Sequence, residues 1–139
     1  MRNDGWFPDL SITQIRDIAR LDGTMTDKRV RDAGRYAIAE VNRQLGTYKG
    51  SHVATGKLKL QDVDSAEIDG ENRLVMLYRR AVVCSMKAEL IERYRDYDST
   101  DSGLRRVLDL DPAVGEQRRN ASWAVRDILG LPHTVVELI

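Results

Sequence analysis

Apolar residues recur at helical spacing along most of this chain. Ile12, Ile15, Ile18 and Ala19 fall on one face, and Ser11 followed three residues later by Gln14 has the form of a capping box at the start of that helix. Ahead of it, Trp6-Phe7-Pro8 is an apolar segment suited to pack against a neighbouring element. A second helix is expected from just after Thr26 to about Leu45, with Val30, Gly34, Ala37, Ile38, Val41 and Leu45 along one stripe. Gly34 in that stripe offers another helix a close approach, at about 1 kcal/mol of helix propensity relative to alanine. The other side carries Lys28, Arg29, Arg31, Arg35 and Arg43 among Asp27, Asp32 and Glu40. Charge runs of this kind are usually solvated faces.

The periodicity breaks over residues 46–70. Gly46, Gly50, Gly56 and Gly70 punctuate the stretch, Lys57-Leu58-Lys59-Leu60 alternates like a short strand, and the whole reads as a long loop. Loops of that length are usually functional or mobile. A third helix is expected from Asp69, as N-cap, to about Tyr94. Its first half, from Leu74 to Cys84, leaves few polar positions, so it should be central and buried on nearly every side, by its own chain or a neighbouring subunit. Residues 96–103 form a polar break, and Leu104, Val107 and Leu108 suggest a further turn or two. Asp111-Pro112 marks another start, and that helix presents Val114, Ala121, Ala124, Val125, Ile128 and Leu129 before stopping at Gly130, with Pro132 just beyond. The tail Thr134-Val135-Val136-Glu137-Leu138-Ile139 reads as a strand. The expected fold is therefore mainly α: a small bundle of about four helices, a loop or short-strand region at 46–70, and an extended C-terminal strand. One domain is expected over 1–139, with 1–8 and 132–139 as docking arms.

The candidate chemistry is thin. Gly50 to Leu58 is the nearest approach to a phosphate-binding loop, but five residues separate Gly50 from Gly56 and Leu58 replaces the required hydroxyl residue. His52 and His133 are the two histidines, far apart in sequence, and no partner carboxylates are singled out for a metal. Cys84 is the one cysteine, which excludes an internal disulfide. It lies in the most apolar stretch, where burial makes a thiol inert and favours a core role over a nucleophile. Asp62, Asp64, Glu67, Asp69 and Glu71 could supply an acid–base pair, although Asp69 and Glu71 are better explained as groups favouring a helix N-terminus. No serine lies in a Gly-x-Ser-x-Gly pattern. No cofactor, metal or catalytic residue is expected.

Composition points the same way. With 42% hydrophobic and 32% charged residues in 139, the chain can bury one real core. Its 22 basic and 22 acidic residues cancel, whereas a protein that grips nucleic acid alone usually carries a basic excess. A ring of subunits could still concentrate one sign on one surface. No signal-like or membrane-spanning apolar stretch is present, so folding in a cytoplasm is expected. The apolar circumference of the third helix, the 46–70 segment with Tyr48, Lys49, His52, Lys57 and Lys59, and the apolar tail all suit a subunit of an assembly. Thr134–Ile139 could add to a partner's sheet edge or pair with residues 57–60 of its own chain.

Six segments occur in an order that resembles a known family: Trp6-Phe7-Pro8-Asp9, Ile68-Asp69-Gly70-Glu71, Arg80-Ala81-Val82, Leu90-Ile91-Glu92-Arg93-Tyr94-Arg95, Trp123-Ala124-Val125-Arg126 and Gly130-Leu131-Pro132. Together they look like the L-type head completion proteins of contractile-tailed temperate phages. The resemblance implies a connector adaptor in the neck of the virion, assembled in the host cytoplasm and without enzymatic activity. It implies a ring, expected to have twelve subunits, that docks on the portal protein after DNA packaging. Such a ring extends the DNA channel and offers a platform to the next neck or tail-completion protein. The C-terminal segment Thr134, Val135, Val136, Glu137, Leu138 and Ile139 would engage the portal. Tyr48, Lys49, His52, Lys57 and Lys59 would face the channel or the tail side, the lysines near packaged DNA acting through phosphate charge. Two other readings compete: a small DNA-binding or regulatory protein using the basic face of the second helix, and a small hydrolase using the carboxylates near Glu67.

Overall fold

The computed structural model describes residues 1–21, 23–95 and 114–133. Within them the chain forms five α-helices, one 3-10 turn and a two-stranded hairpin. Helix α1, Ile12–Ala19, starts where the Ser11 hydroxyl accepts the Gln14 N–H, and it turns Ile15 and Ala19 inward. It ends at Arg20, in the left-handed region at φ 60, with the Leu21 N–H returning to the Arg16 carbonyl in a Schellman turn. Helix α2, Asp27–Gln44, is capped by the Thr26 hydroxyl on the Arg29 N–H. Its buried residues, Val30, Ala33, Gly34, Ala37, Ile38 and Val41, follow the expected stripe. What approaches Gly34 is not a helix but the side chain of Met1: a Cβ added there would lie 2.9 Å from its Sδ and Cε atoms.

The expected loop at 46–70 is largely ordered as regular structure. Helix α3, Gly46–Ala54, follows α2 through the fully buried Leu45. Two glycines cost about 2 kcal/mol of helix propensity, and the anchoring of Leu45 and the packing of Tyr48 on the core override that cost. Gly56, at φ 91, closes α3 in a second Schellman turn: its N–H reaches the Val53 carbonyl, and the Lys57 N–H reaches that of His52. Lys57-Leu58-Lys59-Leu60 is not a strand. Leu60 opens a 3-10 turn, Leu60–Asp62, buried alone, and its N–H donates to the Trp6 carbonyl.

The strands lie further on, where β1, Glu67–Ile68, pairs antiparallel with β2, Glu71–Asn72. Asp69 and Gly70, at φ 54 and 78, make the tight turn whose two positive-φ positions suit an Asp-Gly pair. Asp69 therefore does not cap the third predicted helix. Helix α4, Arg73–Arg95, is capped by the Asn72 amide oxygen, which accepts the N–H groups of Leu74 and Val75 at 2.7 and 3.2 Å. α4 is the central element as expected, packed chiefly against α2 and against α5, Val114–Leu129. Helix α5 stops at Gly130, φ 72, as the sequence indicates. The polar break after α4, the turn at Leu104 to Leu108, the start at Asp111-Pro112 and the C-terminal strand fall outside the described residues.

Residues 1–10 are folded onto this frame. Trp6 and Phe7 are buried, and Phe7 stacks on Tyr78 of α4 with ring centroids 4.9 Å apart. The Tyr78 hydroxyl accepts from the Asn3 amide at 2.7 Å and donates to Asn42 of α2 at 2.7 Å, and Asn42 returns a bond to Asn3 at 2.9 Å. One partly buried polar triad thus joins the N-terminal segment, α2 and α4, each member satisfying the others.

Candidate assembly surfaces

The residues proposed for a channel or tail-side loop converge on α3 and on the chain beside Trp6. Tyr48, Lys49 and His52 share one side of α3 at i, i+1 and i+4. The Tyr48 ring meets Trp6 edge-on at 6.3 Å and His52 at 4.5 Å, and burial pushes its hydroxyl pKa up. The Lys49 ammonium sits 3.0 Å from the Asp4 carboxylate. Burial acts to raise the pKa of Asp4, but the N–H groups of Phe7 and Trp6 together with Lys49 outweigh it and hold the carboxyl below the ordinary range. The Lys57 carbonyl accepts the Trp6 indole N–H at 3.1 Å. Lys59 is exposed, its N–H bonded to Asp62, and Leu58 between the two lysines is 79% exposed. Three of the five thus meet the N-terminal segment directly, Tyr48 and Lys57 at Trp6 and Lys49 at Asp4, while His52 packs on Tyr48 and Lys59 is held by Asp62.

A second feature sits at the root of the tail. Arg119, Trp123 and Asp127 recur every fourth residue along α5. The Arg119 guanidinium lies 4.8 Å over the Trp123 ring, and the His133 ring stacks on Trp123 with centroids 4.7 Å apart and planes 8° from parallel. His133 also bonds to the Asp127 carboxylate at 2.6 Å, and the Arg126 guanidinium reaches the Pro132 carbonyl. The chain therefore leaves α5 at a fixed point and in a fixed direction just before Thr134. Thr134, Val135, Val136, Glu137, Leu138 and Ile139 themselves lie outside the described residues. Sequence reasoning overlooked this cluster, although the i, i+4 spacing of a cation, an indole and a carboxylate was there to be read.

Two of the carboxylate candidates have structural partners. Asp62 closes the 3-10 turn on Lys59, and Glu71 forms an ion pair with Arg79 at 2.8 Å. Cys84 lines a cleft of about 380 Å³ between α1, α4 and α5, and burial pushes its thiol pKa up, against use as a nucleophile. In the same cleft the buried Lys87 ammonium donates to the Ala19 carbonyl at 2.7 Å, at the C-terminus of α1 where a cation is favoured. Among the described residues no group of three or more His, Cys, Asp or Glu side chains could hold a metal ion, and no helix is long and apolar enough to cross a membrane.

The family described as phage head completion protein (GPL) matches the chain over residues 1–139. The chain is 35% identical, over its entire length and 82% of the relative's, to the head completion/stabilization protein of Escherichia phage P2. No solved structure matches it.

Proposed function

The chain belongs to the phage head completion protein family, and on that premise we propose that it docks as a ring on the portal after DNA packaging. There it extends the DNA channel and presents the platform to which the next neck or tail-completion protein attaches. Membership makes it a structural part of the phage head; ring formation, the portal and the tail platform are the finer reading. The observation that supports this reading is the family match along all 139 residues.

In this proposal Thr134–Ile139 is the docking arm. Its β-branched, apolar sequence suits addition to a sheet edge of the portal, where backbone hydrogen bonds supply affinity and alternate side chains supply specificity. The anchored root at Trp123, Asp127 and His133 supports it, because a tail held in one direction at its base loses less freedom on docking. Residues 1–8 act within the subunit instead, since Trp6 and Phe7 are committed to its own core. The exposed Lys59 and Leu58 are left for a neighbouring subunit or neck protein. Deleting Thr134–Ile139 tests the arm. A folded truncated protein should lose binding to portal-bearing heads, and unchanged binding would remove the tail from the docking site.

A further inference from the structure

Resting on that channel reading, we propose that the outer face of α2 contacts the phosphate backbone of double-stranded DNA through Lys28, Arg31 and Arg35. The three are spaced at i, i+3 and i+7. At 3.6 residues per turn they fall within an arc of about 60°, and at 1.5 Å per residue they span roughly 10 Å of the helix. All three side chains are exposed, on the side of α2 away from Val30, Ala33, Ala37 and Val41. Among the described residues no ion pair engages any of them.

Among the described residues, the α2 carboxylates beside this stripe are engaged by other helices. Asp27 pairs with Arg16 of α1 at 3.0 Å, and Asp32 pairs with Arg93 of α4, which also holds Glu89. Engaging both from other helices leaves, among the described residues, a row of three unpaired cations on a protein whose total charge is zero. The stripe offers little to a protein partner. Arginine serves protein and nucleic-acid interfaces alike, but lysine is depleted at protein interface centres and aromatic anchors are favoured there, and the large exposed ring nearby, Tyr36, lies under the Arg93 guanidinium at 5.5 Å. A rigid row of unpaired cations instead matches a phosphate backbone, which it would hold without reading sequence. The α3 region is the weaker candidate for this contact, because Lys49 is already paired with Asp4.

The test uses completed heads. Lys28→Gln, Arg31→Gln and Arg35→Gln are introduced together, since all three positions are exposed and outside the core. The variant should add to DNA-filled, portal-bearing heads in the same number as the unaltered protein. DNA should then escape at least about tenfold faster, with a weaker salt dependence of escape. A photo-crosslinking amino acid at position 31 should give a nuclease-sensitive adduct. Unchanged escape would overturn the proposal by making the stripe a solvated face. Loss of addition, or an adduct to protein alone, would overturn it by making the stripe a subunit or portal contact. Failure of the unaltered chain to add to heads is a separate result, which overturns the docking proposal and this inference with it.

Discussion

Replacing Tyr78 with phenylalanine removes one oxygen from the interior and leaves the ring that stacks on Phe7. Asn42 Oδ1 then loses its donor, while the Asn3 amide keeps its second bond, to the Pro8 carbonyl at 2.9 Å. One stranded, partly buried acceptor costs about 1–2 kcal/mol. For a chain of this length that corresponds to a fall of roughly 3–10 °C in Tm. Thermal and urea unfolding followed by circular dichroism measure it, and a double-mutant cycle with Asn3→Ala should return a coupling of at least about 0.5 kcal/mol. Alkali gives an independent reading. Burial pushes the Tyr78 hydroxyl pKa well above its ordinary value, with the Asn3 hydrogen bond only partly offsetting it. The unfolded chain ionises this group near pH 10 and the folded protein does not. Its contribution is therefore whole below that pH and is lost as the pH rises beyond it, and Tyr78→Phe should flatten that decline. A change in Tm below about 1 °C, with no coupling to Asn3, would refute the claim that the triad fastens the N-terminal segment to the core.

Three further outcomes are expected. Asn72→Ala should cost about 1 kcal/mol by removing the cap of α4, whereas Asp69→Asn should stay within about 0.5 kcal/mol because asparagine tolerates the left-handed turn position; urea unfolding compares them, and equal losses would return the cap to Asp69. Asp4 has a depressed folded pKa, so its contribution is full above the ordinary carboxylate pKa and disappears as pH falls through the folded value. The stability gap between the unaltered protein and Asp4→Asn should accordingly shrink in acid, and a gap independent of pH would contradict this. The Cys84 thiol, its pKa raised by burial, should react with a disulfide reagent at mildly alkaline pH at least about tenfold more slowly in the folded protein than in urea. Equal rates would place the thiol in open solvent.

The helices were legible where a local rule acts alone. Ser11 and Thr26 cap α1 and α2 because a hydroxyl and a backbone N–H three residues on need nothing else, and Gly130 ends α5 because a left-handed residue is needed there. Legibility failed where distant groups decide. The glycines at 46 and 50 signal a loop locally, yet Leu45 and Tyr48 find the core and keep α3 helical. The alternation at Lys57–Leu60 resembles a strand, but Trp6, more than fifty positions earlier, takes up the hydrogen-bonding groups. Asp69-Gly70 carried two valid signals, a hairpin turn and a helix cap, and the pairing of Glu67–Ile68 with Glu71–Asn72 moved the cap three positions on, to Asn72. At the candidate surfaces, Tyr48, Lys49 and His52 lie on one helix, but the contacts of Tyr48 with Trp6 and of Lys49 with Asp4 were invisible in sequence. The stack of His133 on Trp123 needs the chain to double back at Gly130, which spacing alone does not reveal.

The central claim, a subunit that closes DNA-filled heads at the portal, is tested most directly by mass. The purified protein is weighed in solution, alone and after mixing with DNA-filled, portal-bearing heads. A preformed ring, or a monomer that adds to each head in one fixed number at the portal vertex, is the predicted result. A stable monomer or dimer that ignores the portal would contradict it.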